Sequence, residues 1–246
     1  MKPRALVLLA SLAIAGSARA DSYAQGAFTM DLGGAHAGWV RSVEGDAARE
    51  DGVLPIAVRF DAVTPAVARV VASWLEGKTS DIDFALTSTA VVRRSKGARL
   101  ASVRVPAIGF GAPDPFELGF EAKSIGQSPL LRPASDSAVP QGDRLAAFHV
   151  DLGGKPAPVA KLGTVALRRA QGVVTPGEIV LEVAAGETQP WLGWQKAGGT
   201  RALRVDYVTS ADKPVLRVTL DGCHLGSIKP TNGPTSRVAL TCASAR

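Results

Sequence analysis

Three histidines, two cysteines and a pair of closely spaced aspartates are the residues of this chain whose types could support chemistry. His36 lies in Gly33-Gly34-Ala35-His36-Ala37-Gly38, a loop flexible enough to bring an imidazole to a substrate. A general base needs a partner within hydrogen-bond reach, and no Gly-x-Ser-x-Gly elbow or other nucleophile signature accompanies His36. It reads as a turn histidine. His149 sits between Phe148 and Val150 on an alternating segment, so it projects from the opposite face of its strand to a surface or an interface. Asp81 and Asp83 flank Ile82 on one face of an expected strand, and Asp61 could join them. Calcium takes about six to eight oxygen ligands from a loop that folds around the ion, and only fragments of such a set exist here. A solvated acidic strand start is the better reading. Cys223 and His224 are adjacent, which places them on opposite faces of a strand and makes a poor nucleophile dyad. Two cysteines and three histidines also leave little material for a zinc or other transition-metal site. No metal, cofactor or catalytic residue is expected, and the chain reads as non-enzymatic.

The composition fits a packed protein. Of 246 residues, 46% are hydrophobic, which excludes disorder and collagen-like repeats, and the length allows one large domain or two small ones. Residues 1–20 read as a cleavable signal peptide: Lys2 and Arg4 precede an apolar run, and Ala18-Arg19-Ala20 has the small-x-small form of a cleavage site. The run is too short to span a bilayer, which needs about 20 apolar residues. An exported product, periplasmic or extracellular, is expected. In such a compartment Cys223 and Cys242 are expected to form a disulfide closing a loop of about 20 residues, which contributes on the order of 3 kcal/mol. Setting aside Lys2, Arg4 and Arg19 lowers the formal charge from +6 to +3. The remaining basic residues are scattered, unlike the dense basic face of a nucleic-acid binder.

The elements that must carry these residues come in two similar sets. Phe28-Thr29-Met30-Asp31-Leu32-Gly33-Gly34 recurs as Phe148-His149-Val150-Asp151-Leu152-Gly153-Gly154, five of seven identical, and Trp74 and Trp194 share the 120-residue offset. In the first half, strands are expected over 27–32, 38–44 and 54–61. Thr64-Pro65 then caps a helix whose buried face is Val67, Val70, Val71, Trp74 and Leu75, ending at Gly77. Strands over 82–87, 98–108 and 116–123 follow. Residues 124–143 carry Pro129, Pro133 and Pro140 and read as a linker. Strands then return over 145–152, 160–167 and 178–184, a segment at 190–196 is weakened as a helix by Pro190 and Gly193, and further strands lie at 202–209, 215–220 and 236–242. The domains read as residues 21–123 and 144–246.

Phe28 to Leu32, Ala37-Gly38-Trp39, Ser42-Val43-Glu44-Gly45 and Trp74-Leu75 resemble the tail-tube protein family of contractile phages, structurally related to haemolysin-coregulated protein. The resemblance covers about residues 27–123, with the second half a degenerate copy. It implies a mainly β (α+β) fold of two tandem small β-barrel domains, each with one flanking helix. It also implies self-assembly into rings or stacked rings, in which three two-domain chains present six similar units. The turn bearing Asp46, Arg49, Glu50 and Asp51 stands where the family carries a loop used in ring stacking. The competing expectation is a monomeric secreted or periplasmic ligand-binding β module with a concave patch of Trp39, Trp191 and Trp194.

Overall fold

A computed structural model describes residues 28–45, 52–79, 81–111, 114–130 and 141–246. The expected signal peptide and the turn residues Asp46, Arg49, Glu50 and Asp51 lie outside them.

The first half contains β1 (Phe28–Leu32), β2 (Ala35–Val40), β3 (Ser42–Glu44), β4 (Leu54–Phe60), α1 (Pro65–Leu75), β5 (Asp81–Thr87), β6 (Val91–Val105), β7 (Phe116–Ala122) and β8 (Gly126–Pro129). Its antiparallel sheet runs β2-β1-β5-β6-β7-β4-β3, with β8 added on β6. The region read as a linker therefore contributes a strand. The second half contains β9 (Ala147–Leu152), β10 (Pro156–Ala157), β11 (Lys161–Leu162), β12 (Val165–Ala170), β13 (Val173–Pro176), β14 (Ile179–Ala184), α2 (Gln189–Ala197), β15 (Arg201–Val208), β16 (Pro214–Pro230), β17 (Thr235–Thr241) and β18 (Ser244–Ala245). Its main path is β10-β9-β15-β16-β17-β14-β11. Strand for strand this is the order of the first sheet, with β12 and β13 inserted between the counterparts of β3 and β4.

Local chemistry accounts for the shared turns. Gly33 and Gly34 both have positive φ, as do Gly153 and Gly154, a conformation that costs glycine little. The N–H of Gly33 donates to the Asp83 carbonyl, and that of Gly153 to the Ala202 carbonyl at the same place in the second sheet. The two glycine pairs thus hold one topological setting. Helix α1 starts where the Thr64 hydroxyl accepts the Val67 N–H and donates to the Ala37 carbonyl, with Pro65 in the first turn. Its buried face is Val67, Val71, Trp74 and Leu75. In α2 the proline sits in the first turn, where its missing N–H costs nothing, and Trp191 and Trp194 are buried.

No closed barrel is found among the described residues: each half is an antiparallel sheet with one helix. Buried side chains from both halves, among them Phe60, Trp74, Phe120, Leu167, Trp194 and Tyr207, belong to one contiguous core.

Candidate assembly interface

The contact between the halves is built on the length of β6. Its early part pairs with β5 as far as Asp81 opposite Arg99, and β6 then runs six residues past that point, beside β7. The strand side vacated by β5 takes β12 from the second half, with Val165, Ala166, Leu167 and Arg168 opposite Val105, Arg104, Val103 and Ser102. Val165 and Leu167 are buried with Val103 and Val105. β12 turns back into β13 through Gln171 and Gly172, both at positive φ, the requirement of the two-residue turn that follows the twist of a hairpin.

Further contacts lie around this pairing. The Arg169 guanidinium covers the Trp74 ring at 4.9 Å, and its Nη1 donates to the Thr79 carbonyl at 3.0 Å. Its Nε and Nη2 are buried without a partner among the described residues, and burial lowers its pKa from the ordinary arginine value. Trp74 Nε1 in turn donates to the Leu100 carbonyl of β6. Ile108 and Leu162 exchange backbone hydrogen bonds of 2.8 and 3.0 Å, and Val63 and Asp143 exchange two of 2.9 Å. α1 also lies against β16, and an open pocket between them is lined by Ala72, Leu75, Leu216 and Thr219.

The residues nominated from sequence for chemistry are engaged elsewhere. His36 stands opposite Asp31 in the β1–β2 hairpin, with Nδ1 2.9 Å from the carboxylate, so it has an ionic partner that sequence reasoning did not find. Among the described residues no hydroxyl or thiol meets the ring. His149 is exposed and bonds Asp212 at 2.6 Å. Asp83 accepts the Gly97 N–H, and Asp61 pairs with Arg41 at 3.1 Å. Among the described residues no group of three or more metal-ligating side chains gathers. The sulfurs of Cys223 and Cys242 lie at disulfide distance, 2.15 Å, while the neighbouring His224 faces solvent. Trp39 is exposed, but Trp191 and Trp194 point into the core, so the three form no common patch. Next to Gly45, Arg59 is held between Glu44 and Glu117, and its hydrogen bond to Glu44 leads in raising its pKa above the usual arginine value. An open cleft of about 560 Å³ lies beside Arg41, Asp61, Ile108, Phe116 and Arg144. No histidine or cysteine lines it.

Sequence reading missed the β12–β13 hairpin and took 160–167 as one strand. The available signal was Gln171-Gly172 between apolar alternations, a weaker form of the Asn-Gly hairpin signature. Among the described residues no helix is long and apolar enough to cross a membrane. No protein-family model matches the chain, and no curated protein sequence matches it significantly.

Proposed function

We propose that this chain is an exported, non-enzymatic structural subunit, similar in kind to tail-tube proteins, that self-associates head to tail into rings or stacked rings in the periplasm or outside the cell. One observation carries the reading: two halves of the same strand order meet through different surfaces of each, the β12–β13 hairpin of one against the long β6 of the other. A contact of unlike surfaces between like units leaves the complementary surface unused at each end, and its repetition closes a ring or extends a filament. Three chains supply six such units. Barrel-like units also agree with the strand paths, because β2 and β3, the two ends of the first path, are separated only by Arg41, whose N–H donates to the Arg59 carbonyl. Export agrees with the apolar leader and with paired cysteines, which persist in oxidising compartments. The ligand-binding alternative loses its aromatic surface with Trp191 and Trp194 buried.

Sedimentation velocity and negative-stain microscopy on the chain lacking residues 1–20 test the proposal. Concentration-dependent ring-shaped particles are expected. A strictly monomeric species at high concentration overturns it.

A further inference from the structure

Trp39 is 44% exposed, whereas the other three tryptophans of the chain are almost wholly buried. It stands on β2 between the buried Gly38 and Val40, and it lines a shallow cleft of about 320 Å³ together with Thr64, Gln141 and Arg144. Arg41, Asp61 and Arg144 line both this cleft and the larger one of about 560 Å³, so the two adjoin. Each has the size of a small-ligand site, about 300–1,000 Å³. The larger cleft takes Ile108 and Phe116 from the first half and Leu145 and Ala146 from the second. Backbone groups around it are already paired: Val63 with Asp143, Ile108 with Leu162, and the Arg41 N–H with the Arg59 carbonyl. These groups are not free to extend a sheet with a peptide, so recognition falls to side chains.

We propose that the adjoining clefts bind an acidic saccharide, a sugar chain carrying carboxylates, with one ring stacked on Trp39, a carboxylate on Arg144 and hydroxyls on Arg41 and Asp61. The side chains match that ligand part by part. A sugar ring presents a face of C–H bonds, which suits an exposed indole. Its hydroxyls both donate and accept, and the exposed Arg41–Asp61 pair, 3.1 Å apart, offers donors and acceptors side by side. The Arg144 guanidinium is exposed and has no hydrogen-bond or ion-pair partner among the described residues, so it is free to take a carboxylate. Ile108 and Phe116 offer apolar surface to a neighbouring ring. A nucleic acid would need a row of free cations, and here Asp61 already neutralises Arg41. The site is not the three-tryptophan patch expected from sequence, of which only Trp39 is exposed. All its residues come from one chain and from both halves of it, so it is complete in a monomer and independent of self-association.

The test follows tryptophan fluorescence and titration calorimetry of the chain lacking residues 1–20 with oligosaccharides of galacturonate, hyaluronate and alginate. Maltotetraose serves as the neutral control and oligothymidylate as the anionic control that is not a saccharide chain. Because the other three tryptophans are buried, a fluorescence change on binding reports Trp39. At least one acidic saccharide is expected to give a saturable change and to bind about tenfold or more tightly than maltotetraose. Trp39→Ala is expected to abolish the fluorescence response and to weaken calorimetric binding about tenfold. Arg144→Gln is expected to bring the acidic saccharide level with maltotetraose. Both side chains are exposed, so neither change disturbs the core. No response to any acidic saccharide, equal binding of maltotetraose to the parent chain, or binding that survives both substitutions overturns the proposal. Tighter binding of oligothymidylate overturns it in favour of a nucleic acid.

Discussion

Arg169 of the second half lies over the Trp74 ring of the first, its guanidinium carbon 4.9 Å from the ring centroid. Trp74 is fully buried on the inner face of α1, so a cation from one half covers the helix of the other. The arrangement is not wholly favourable. One guanidinium nitrogen reaches the Thr79 carbonyl, while two stay buried without partners among the described residues, and that desolvation cost opposes the stacking energy of about 1–2 kcal/mol. Arg169→Met keeps the cover and removes the orphaned donors, so its stability in urea is expected within about 1 kcal/mol of the parent. Arg169→Ala uncovers Trp74 and is expected to lose about 2 kcal/mol. Equal losses for the two variants would show that charge, not cover, is what matters.

Ala98 and Ala122 flank the Arg99–Glu121 pair of the first sheet as Cys223 and Cys242 flank the His224–Thr241 pair of the second. Gly97 and Gly222, one residue earlier, even share positive φ. The alanines show that this position tolerates a small unlinked pair. The double substitution Cys223→Ala, Cys242→Ala is therefore expected to fold, with a cost of about 3 kcal/mol from freeing the unfolded chain. Urea unfolding measures the loss, and far-ultraviolet circular dichroism checks that the strands remain.

These elements also show what the sequence could disclose. Thr64-Pro65 and the alternation Phe116, Leu118, Phe120, Ala122 are local signals, and each marks its element within a residue or two. The Gly-Gly repeat pointed to one turn used twice, and the carbonyls it meets, Asp83 and Ala202, are equivalent. The start of β6 was hidden because Arg93, Arg94, Ser95, Lys96 and Gly97 carry no apolar alternation; only pairing with β5 makes them a strand. The docking of β12 was not legible at all. A strand edge attracts partners through backbone groups that every residue possesses, so nothing in Ser102 or Arg168 announces the other. Trp191 and Trp194 stand three positions apart on one face of α2, a spacing that suits a surface patch as well as a core contact, and only the packing of α2 fixes which way they face.

Tyr207 is fully buried in β15, its hydroxyl without a partner among the described residues, and burial pushes its pKa far above the ordinary tyrosine value. The folded chain therefore keeps this proton where the unfolded chain loses it. Stability is unaffected below about pH 10 and falls above it, by up to about 1.4 kcal/mol per pH unit, because the unfolded state then binds fewer protons. Tyr207→Phe is expected to remove that slope and to raise stability at neutral pH by about 1 kcal/mol, since it deletes an unsatisfied buried hydroxyl. Urea unfolding at pH 7 and pH 11 measures both effects. A parent whose stability at pH 11 falls no faster than that of the variant contradicts the assignment.

Leu167 lies at the centre of the pairing between the halves, fully buried opposite Val103. Because the core is continuous across this point, neither half retains its full complement of buried neighbours when the other melts. Calorimetry is expected to record one cooperative transition for the chain, not two. Leu167→Ala opens a cavity between the halves and is expected to cost about 3 kcal/mol, within the range for buried leucine truncations. The way this loss is distributed decides the point. A uniform downward shift of a single transition means the hairpin couples the halves, whereas a transition that splits, with the first sheet melting at its own temperature, means that each half carries its own stability and β12 only rests on β6.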